Sequence, residues 1–428
     1  MFCNRKFSRY VLLLISLVVY RIIHEYYYKY YISPVYSYAG YVADSSNDQY
    51  IYSWIIYILT IFLFINALFS RDRFWANVSF VLFLLKYVPL IVLLGFIPYE
   101  NSYIFLNTVF WFELILFGNL FKPIRIVSNN FVYKNRISFI KIFYVIIALF
   151  VISVLFVSFK YTGFRLHTSL FDVYDIRFEQ RENNYPTIFR YILSASTIIC
   201  PLVLCYFVDK NNYKLSLLFA FIVYVDFSIE GLKAIVFATV IGVLLHFFYK
   251  RKYLLYLPLL SSLLLFFISL VKQEEIQKAI SFVIWRVFYV PSGMDYEYYT
   301  FFNLFEPDFY RNSIFRRFGA ESPYSSSSVD IAVGEYFSPE VIGIRANNGL
   351  ISEGFANFGN WGAFILPFIL IIYIKIISSC AKGLNESYIF LISVIFAYTI
   401  ISTFIPATIL SSGVWILIII LICYKALK

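Results

Sequence analysis

Apolar residues run through this chain in long, nearly uninterrupted blocks rather than at the spacing of an amphipathic helix or strand. Five blocks carry almost no charged side chain: 51–69, 143–159, 189–207, 253–271 and 409–423. A membrane-spanning helix needs roughly 20 apolar residues, so blocks of this kind predict transmembrane helices. The whole pattern predicts twelve spans, at about residues 10–31, 51–69, 74–97, 103–121, 142–159, 190–208, 215–229, 234–249, 253–271, 350–374, 388–405 and 408–424.

Composition points to the same fold class. The chain is 61% hydrophobic and only 14% charged, whereas soluble domains carry about 25% charged residues. We therefore predict an all-α fold, a single polytopic membrane domain over residues 1–428 with about twelve transmembrane helices. Two outer loops, 160–190 and 272–349, are long enough to fold back onto this helix bundle.

The placement of basic residues predicts the orientation. With the N-terminus in the cytoplasm, the inner connections hold 19 Lys and Arg against three acidic residues. Short cytoplasmic loops are enriched in Lys and Arg, so both termini are predicted to be cytoplasmic. The formal net charge of +10 is scattered among short connections, and this excludes the continuous basic patch that a nucleic-acid partner would need. The lipid bilayer is the predicted partner instead.

Cysteine and histidine residues form no recognisable metal site. The five cysteines lie in apolar blocks or cytoplasmic connections, and His24, His167 and His246 are far apart. Zinc sites need ligands at characteristic short spacings. We predict neither a metal nor a cofactor.

The larger outer loop contains one segment with helical periodicity. Between residues 274 and 290, Ile276, Ile280, Val283 and Val287 share an aliphatic face, and Trp285 lies on another side. Such a pattern predicts a helix lying along the outer membrane surface. We expect the sequence Pro291-Ser292-Gly293 to end it.

Charged residues inside or beside the spans are candidates for function, since their burial in lipid is costly. Asp226, Glu230 and Lys233 form one helical stripe at i, i+4 and i+7. This stripe is either a self-neutralising solvated turn or a cation held over a membrane-embedded cavity. Lys86 and Glu113 lie at similar depth in neighbouring spans, which predicts a buried ion pair between them.

A second polar stripe opens the tenth span. Glu353, Asn357 and Asn360 repeat at i, i+4 and i+7 beside Gly354 and Gly362. The glycines suit close helix packing. The stripe of one carboxylate and two amides predicts a polar cavity.

The outer loops mix arginines with many Tyr and Phe. Arginine binds phosphate through a planar fork, so the mixture suits a phosphate-bearing saccharide at the membrane surface. The alternative is an ordinary belt of headgroup-binding arginines and interfacial aromatics.

These features resemble the Wzy-type family of bacterial O-antigen and capsule repeat-unit polymerases. The resemblance rests on about twelve spans, an aromatic-rich chain of this length and one large outer loop before the last three spans. Five short sequence motifs also resemble the family: Asp172-Val173-Tyr174-Asp175-Ile176-Arg177, Gly231-Leu232-Lys233-Ala234, Trp285-Arg286, Asn347-Asn348-Gly349 and Glu353-Gly354-Phe355-Ala356-Asn357-Phe358-Gly359-Asn360-Trp361-Gly362.

The resemblance implies a fold like that of membrane-embedded, lipid-carrier glycosyltransferases (GT-C-like), without a metal or nucleotide sugar. Its substrates would be undecaprenyl-diphosphate-linked oligosaccharides, joined at the outer face of the bacterial inner membrane, and a chain-length regulator protein is a possible partner. The departing diphosphate needs cations, and the acceptor hydroxyl needs a base. The candidates for the base are Glu353, Glu335 and Asp330. The candidates for diphosphate or substrate binding are Arg286, Arg177, Lys233, Arg345, Asn357 and Trp285.

Two other functions stay open. An O-antigen ligase has the same architecture and chemistry, with lipid A as acceptor. A polysaccharide flippase or other transporter belongs to a different class, and transporters commonly show repeated halves and broken midplane helices. Neither feature is evident in this sequence.

Overall fold

The computed structural model describes residues 2–167, 186–231, 233–324 and 328–427, and within these residues the secondary structure is helical, with no strand. In this part of the chain, six helices are long and apolar enough to cross a membrane, or seven if the bent pair Thr187–Ser194 and Ser196–Asp209 forms one span. Shorter apolar helices lie at Ile235–Phe248, Leu257–Ser269, Glu386–Ser402 and Val414–Leu427. The all-helical fold class is confirmed for the described residues, and their long apolar helices are consistent with a membrane protein. The count of twelve spans stays a prediction.

The chain divides into two compact units. The first unit comprises Met1–Lys122, Lys250–Lys375 and Ile400–Phe404, and the second comprises Pro123–Tyr249, Ile376–Thr399 and Ile405–Lys428. Helices that begin in the first unit are Phe2–Tyr27, Ser33–Tyr36, Asn47–Leu68, Arg73–Leu82, Val88–Phe96, Asn101–Leu120, Leu257–Ser269, Glu274–Ile284, Val290–Leu304, Val329–Phe337, Ile351–Phe358 and Gly362–Ala381. Helices that begin in the second are Asn129–Lys134, Arg136–Tyr161, Thr187–Ser194, Ser196–Asp209, Tyr213–Glu230, Lys233–Phe248, Glu386–Ser402, Ile405–Leu410 and Val414–Leu427.

Short polar residues set several helix ends. The Asp72 side chain accepts a hydrogen bond from the Trp75 amide and caps the helix that starts at Arg73. The Asn212 side chain does the same for the helix Tyr213–Glu230. Such caps satisfy amides that have no partner within the helix. At the other end of Tyr213–Glu230, Gly231 adopts a φ of 59° and donates its amide to the Phe227 carbonyl, as glycine does readily.

Three helices of the first unit each contain a π turn that ends two residues before a proline. The turns are Tyr28–Ile32, Phe83–Tyr87 and Trp285–Tyr289, and the prolines are Pro34, Pro89 and Pro291. Proline lacks the amide hydrogen and crowds the preceding turn. A wider turn relieves this conflict, so the helix continues past the proline. Single π turns are frequent at functional sites.

The helix predicted in the loop 272–349 therefore runs further than its sequence suggested. It continues from 274 to 304, interrupted only by the π turn Trp285–Tyr289, and we call it the loop helix. The prediction that Pro291-Ser292-Gly293 ends it is wrong, because the Val290 amide bonds to the Trp285 carbonyl and carries the helix over the proline. On its predicted aliphatic face Ile276, Val283 and Val287 are exposed, as expected for a face that lies against lipid.

Candidate functional site

A short helix, Ile351–Phe358, carries the polar stripe and is called the site helix. It packs closely on the start of the next helix, because a Cβ on Gly362 would lie 2.1 Å from the carbonyl carbon of Gly354. The packing role predicted for these two glycines fits this contact. The site helix ends at Phe358, so Asn360 falls outside it and is exposed, while Glu353 and Asn357 are buried.

The Glu353 side chain is fully buried, and its carboxylate accepts a hydrogen bond from a tyrosine. The Tyr310 hydroxyl donates to Glu353 Oε1 at 2.8 Å. The Tyr310 amide donates to Asn357 Oδ1 at 2.7 Å, and Asn357 Nδ2 donates to the Glu353 carbonyl at 2.9 Å. Glu353 and Asn357 thus act together, one through its carboxylate and one through its amide, to hold the same residue.

Tyr310 belongs to a short stretch, 306–313, that lies over the site helix and is called the covering segment. Phe309 and Tyr310 have φ values of 50° and 60°, a left-handed conformation that costs non-glycine residues energy. Fixed contacts hold it: the Asp308 amide donates to the Ala356 carbonyl at 2.7 Å, and the Asp308 carboxylate accepts from Ser322 Oγ at 2.6 Å. Burial, followed by the negative charge of Glu353, raises the pKa of Tyr310, so its hydroxyl stays a proton donor.

One residue before Glu353, the same helix contacts a buried ion pair through Ser352. Lys86 Nζ lies 2.8 Å from Asp295 Oδ2, and both side chains are wholly buried. Ser352 Oγ and Asn348 Nδ2 donate to Asp295 Oδ1 at 2.8 and 2.9 Å. We call Lys86, Asp295, Asn348 and Ser352 the lysine network. It links the candidate membrane span Arg73–Phe96, the loop helix and the site helix.

Two π turns shape the lysine network. Lys86 lies within the π turn Phe83–Tyr87, and its ammonium also donates to the carbonyl of Pro291, just after the π turn Trp285–Tyr289. In return, Ser292 Oγ donates to the Lys86 carbonyl at 3.2 Å. Backbone carbonyls in or just after the widened turns thus accept hydrogen bonds from side chains of the partner helix.

The predicted pairing of Lys86 with Glu113 is wrong. The ammonium of Lys86 is taken by Asp295 and the Pro291 carbonyl, and Glu113 Oε2 is buried without a hydrogen-bond partner among the described residues. The prediction assumed that the partner of Lys86 lies at the same depth in the neighbouring span. The loop helix supplies it instead, and sequence reasoning missed Asp295 altogether. The sequence offered a partial signal, since Asp295 and Glu297 are the two acidic residues of the largely apolar and aromatic stretch Val290–Leu304.

The weaker candidate bases have other contacts. Asp330 Oδ2 pairs with Arg345 Nη1 at 3.2 Å. Glu335 Oε1 accepts the Gly343 amide at 2.8 Å and so fixes the turn after the helix Val329–Phe337. Arg345, a predicted substrate-binding residue, is therefore paired with a predicted base. Both roles stay predictions, but these contacts favour a structural part for the pair.

Trp285 and Arg286 lie side by side in a π turn of the loop helix. The Trp285 ring stacks on Tyr36 with centroids 4.2 Å apart and planes 5° from parallel, and Tyr41 meets it edge-on. The Arg286 side chain is exposed and available to an anion. Arg177 lies outside the described residues, and the side chain of Lys233 is also outside them, so the convergence of these two cations with Arg286 stays a prediction.

The site therefore consists of an enclosed carboxylate that accepts a hydrogen bond from a hydroxyl group, a buried ion-paired network beside it, and an exposed arginine in the same unit. This arrangement can accept a proton from a hydroxyl and can hold an anion.

A scan of the chain against protein-family models finds none that matches, and searches of the curated proteins and of the solved structures return no match either.

Proposed function

We propose that this protein is a polymerase that joins undecaprenyl-diphosphate-linked oligosaccharide repeat units into O-antigen or capsular polysaccharide. The reaction would take place at the outer face of the bacterial inner membrane without a metal. It requires a base for the acceptor hydroxyl and cations for the departing diphosphate. The chain offers candidates for both tasks within one membrane protein.

The contact between Tyr310 and Glu353 carries the proposal. A phenol hydroxyl donates to the Glu353 carboxylate at 2.8 Å, within the distance that a general base needs. An acceptor sugar hydroxyl that displaced Tyr310 would meet the same oxygen in the same way. Glu353 would then take its proton as the hydroxyl oxygen attacks the anomeric carbon, and the diphosphate would depart with the bonding electrons.

Displacement of Tyr310 requires movement of the covering segment, and its backbone favours such movement. Two consecutive residues with left-handed backbone conformation, Phe309 and Tyr310, strain the covering segment in the position it occupies over the site helix. Substrate binding would release that strain. Asn357 accepts a hydrogen bond from the Tyr310 amide. When the covering segment moves away, the Asn357 side chain would become free to bind a sugar hydroxyl.

Arg286, Arg177 and Lys233 are the proposed diphosphate ligands, with Arg345 as a further candidate. The exposure of Arg286 supports its role, because a phosphate can reach its guanidinium fork. The stacked Trp285–Tyr36 pair beside it suits contact with a lipid-linked sugar. A chain-length regulator protein is a proposed partner.

The proposed topology has twelve spans with both termini in the cytoplasm. A helix lies on every one of the twelve predicted segments, which supports this count. Reporter fusions at Val132, Lys210 and Lys382 should report cytoplasm, and fusions at Glu179 and Ser326 should report the outer side. A cytoplasmic Ser326 would place every proposed site residue in the wrong compartment and overturn the proposal.

A null mutant analysed on a polysaccharide gel tests the function. Loss of a polymerase should leave single repeat units on lipid A, because ligation continues without chain growth. Loss of a ligase should leave lipid A without any repeat unit. Loss of a flippase gives the same bare lipid A, so a bare band would overturn the polymerase proposal.

A further inference from the structure

The second unit contains a buried carboxyl group for which the proposed chemistry has no use. Asp226 lies one turn before the end of the helix Tyr213–Glu230 and is 0% exposed. Neither of its carboxyl oxygens has a hydrogen-bond partner among the described residues. Uncompensated burial is uncommon for a carboxyl group, because such groups are normally paired or neutralised.

The surroundings of Asp226 include another polar group in the same condition. The Ser196 hydroxyl, at the start of the helix Ser196–Asp209, is a neighbour of this carboxyl, is buried, and also has no described partner. Cys200 adds a buried thiol one turn further along that helix. A hydroxyl and a carboxyl side by side suit a neutral acid, since one donates where the other accepts.

Among the described residues, no charged group donates a hydrogen bond to either oxygen of Asp226. Glu230, one turn along on the same helix, is another carboxyl group and has an interaction of its own. On the helix Arg136–Tyr161, Lys160 lies over the rings of Phe156 and Tyr161. On Lys233–Phe248, His246 lies near Asp209 instead, with 3.9 Å between Nε2 and Oδ1, and the Lys233 side chain is not among those described.

We propose that Asp226 is a proton-binding site that holds its proton at neutral pH. An isolated carboxylate in a low-dielectric interior is far more costly than the neutral acid, which needs only a hydroxyl neighbour such as Ser196. Ionisable groups buried in membrane helices commonly mark proton relays and ion pathways. The proposal is independent of glycosyl transfer, for which residues of the first unit supply the base.

Infrared difference spectroscopy of the full chain in lipid nanodiscs tests this directly. Wild type and Asp226→Asn are compared at pH 7 in H2O and D2O. We expect the variant to lose one carbonyl stretching band of a protonated carboxylic acid, and that band should shift in D2O. If Asp226→Asn is not recovered from membranes, Asp226→Ala supplies the same comparison.

A Lys233→Met variant provides the matched control. If Asp226 is already protonated, its acid band is present in wild type and unchanged when Lys233 is replaced. The proposal is overturned if Asp226→Asn removes carboxylate bands instead, or if the acid band arises only in Lys233→Met. The latter result would mean that Asp226 is an anion paired with Lys233.

Discussion

Asp295 of the first unit and Asp226 of the second are both enclosed carboxyl groups, yet their environments differ. Asp295 receives an ammonium, an amide and a hydroxyl from three separate helices or loops. Asp226 receives no hydrogen bond from the described residues. A buried carboxylate stays charged where several donors converge on it, and it keeps a proton where they do not. The same side chain therefore makes a rigid joint in one unit and a protonatable site in the other.

The largest expected effect comes from breaking the ion pair. Lys86→Met should lower the free energy of unfolding by ~3–5 kcal/mol, because it leaves the Asp295 charge buried without its counter-ion. Unfolding of the purified chain in mixed micelles measures this. Asp226→Asn is the matched comparison and should cost no more than about 1 kcal/mol, since one neutral group replaces another. Equal losses for the two variants would contradict the contrast between the two sites.

A double variant sharpens this result. Lys86→Met combined with Asp295→Leu should recover much of the lost stability, because neither charge remains buried alone. If the double variant is as unstable as the sum of the single variants, the pair is held by something other than mutual charge neutralisation.

The second effect concerns the covering segment. Tyr310→Phe removes a hydroxyl that donates to the Glu353 carboxylate, and bonds to charged groups contribute about 1.5–3 kcal/mol. Tyr324→Phe is the control, because its hydroxyl donates to the neutral Glu306 carbonyl and should cost about 0.5–1.5 kcal/mol. Long-chain polysaccharide should persist in Tyr310→Phe, since the substrate displaces this hydroxyl. A loss of long chains in Tyr310→Phe at normal expression would show that the hydroxyl is needed in the reaction itself.

A third effect tests the cation of the first unit. Arg286→Ala and Arg286→Lys should each lower polymer synthesis roughly tenfold or more, because lysine keeps the charge but loses the bidentate fork. Lys278→Ala, on the same helix with a 64% exposed side chain, should leave synthesis unchanged. Wild-type chain length in Arg286→Ala would remove Arg286 from the site.

The smallest effect is a pH dependence from the loop helix. Burial raises the pKa of Glu297 from its ordinary 4.5 to about 7. The unfolded chain then binds fewer protons than the folded one between these values, so stability should fall as pH rises from 4.5 to 7 and level off above. Glu297→Gln should flatten this part of the stability profile. An unchanged profile in the variant would assign the pH dependence to another group.

The sequence predicted much of the fold and part of the site. Uninterrupted apolar blocks have few alternatives to membrane helices, and the stripe of Glu353 and Asn357 follows directly from helical spacing. The partner of Lys86 could not be found in the same way, because Asp295 is distant along the chain and no periodicity links the two. The π turns were equally hidden, since the residues before Pro89 and Pro291 resemble those of an ordinary helix. Tyr310 reaches Glu353 through an irregular segment, for which spacing carries no information.

The identity of the base is the central claim, and polysaccharide gels of Glu353→Gln cells test it most directly. The variant keeps the shape of the side chain but cannot accept a proton, so it should leave single repeat units on lipid A at normal protein level. Glu335 is the matched control, because its carboxylate accepts a hydrogen bond from the Gly343 amide. Cells with Glu335→Gln should retain long chains. Long-chain polysaccharide of wild-type length in Glu353→Gln would contradict the account.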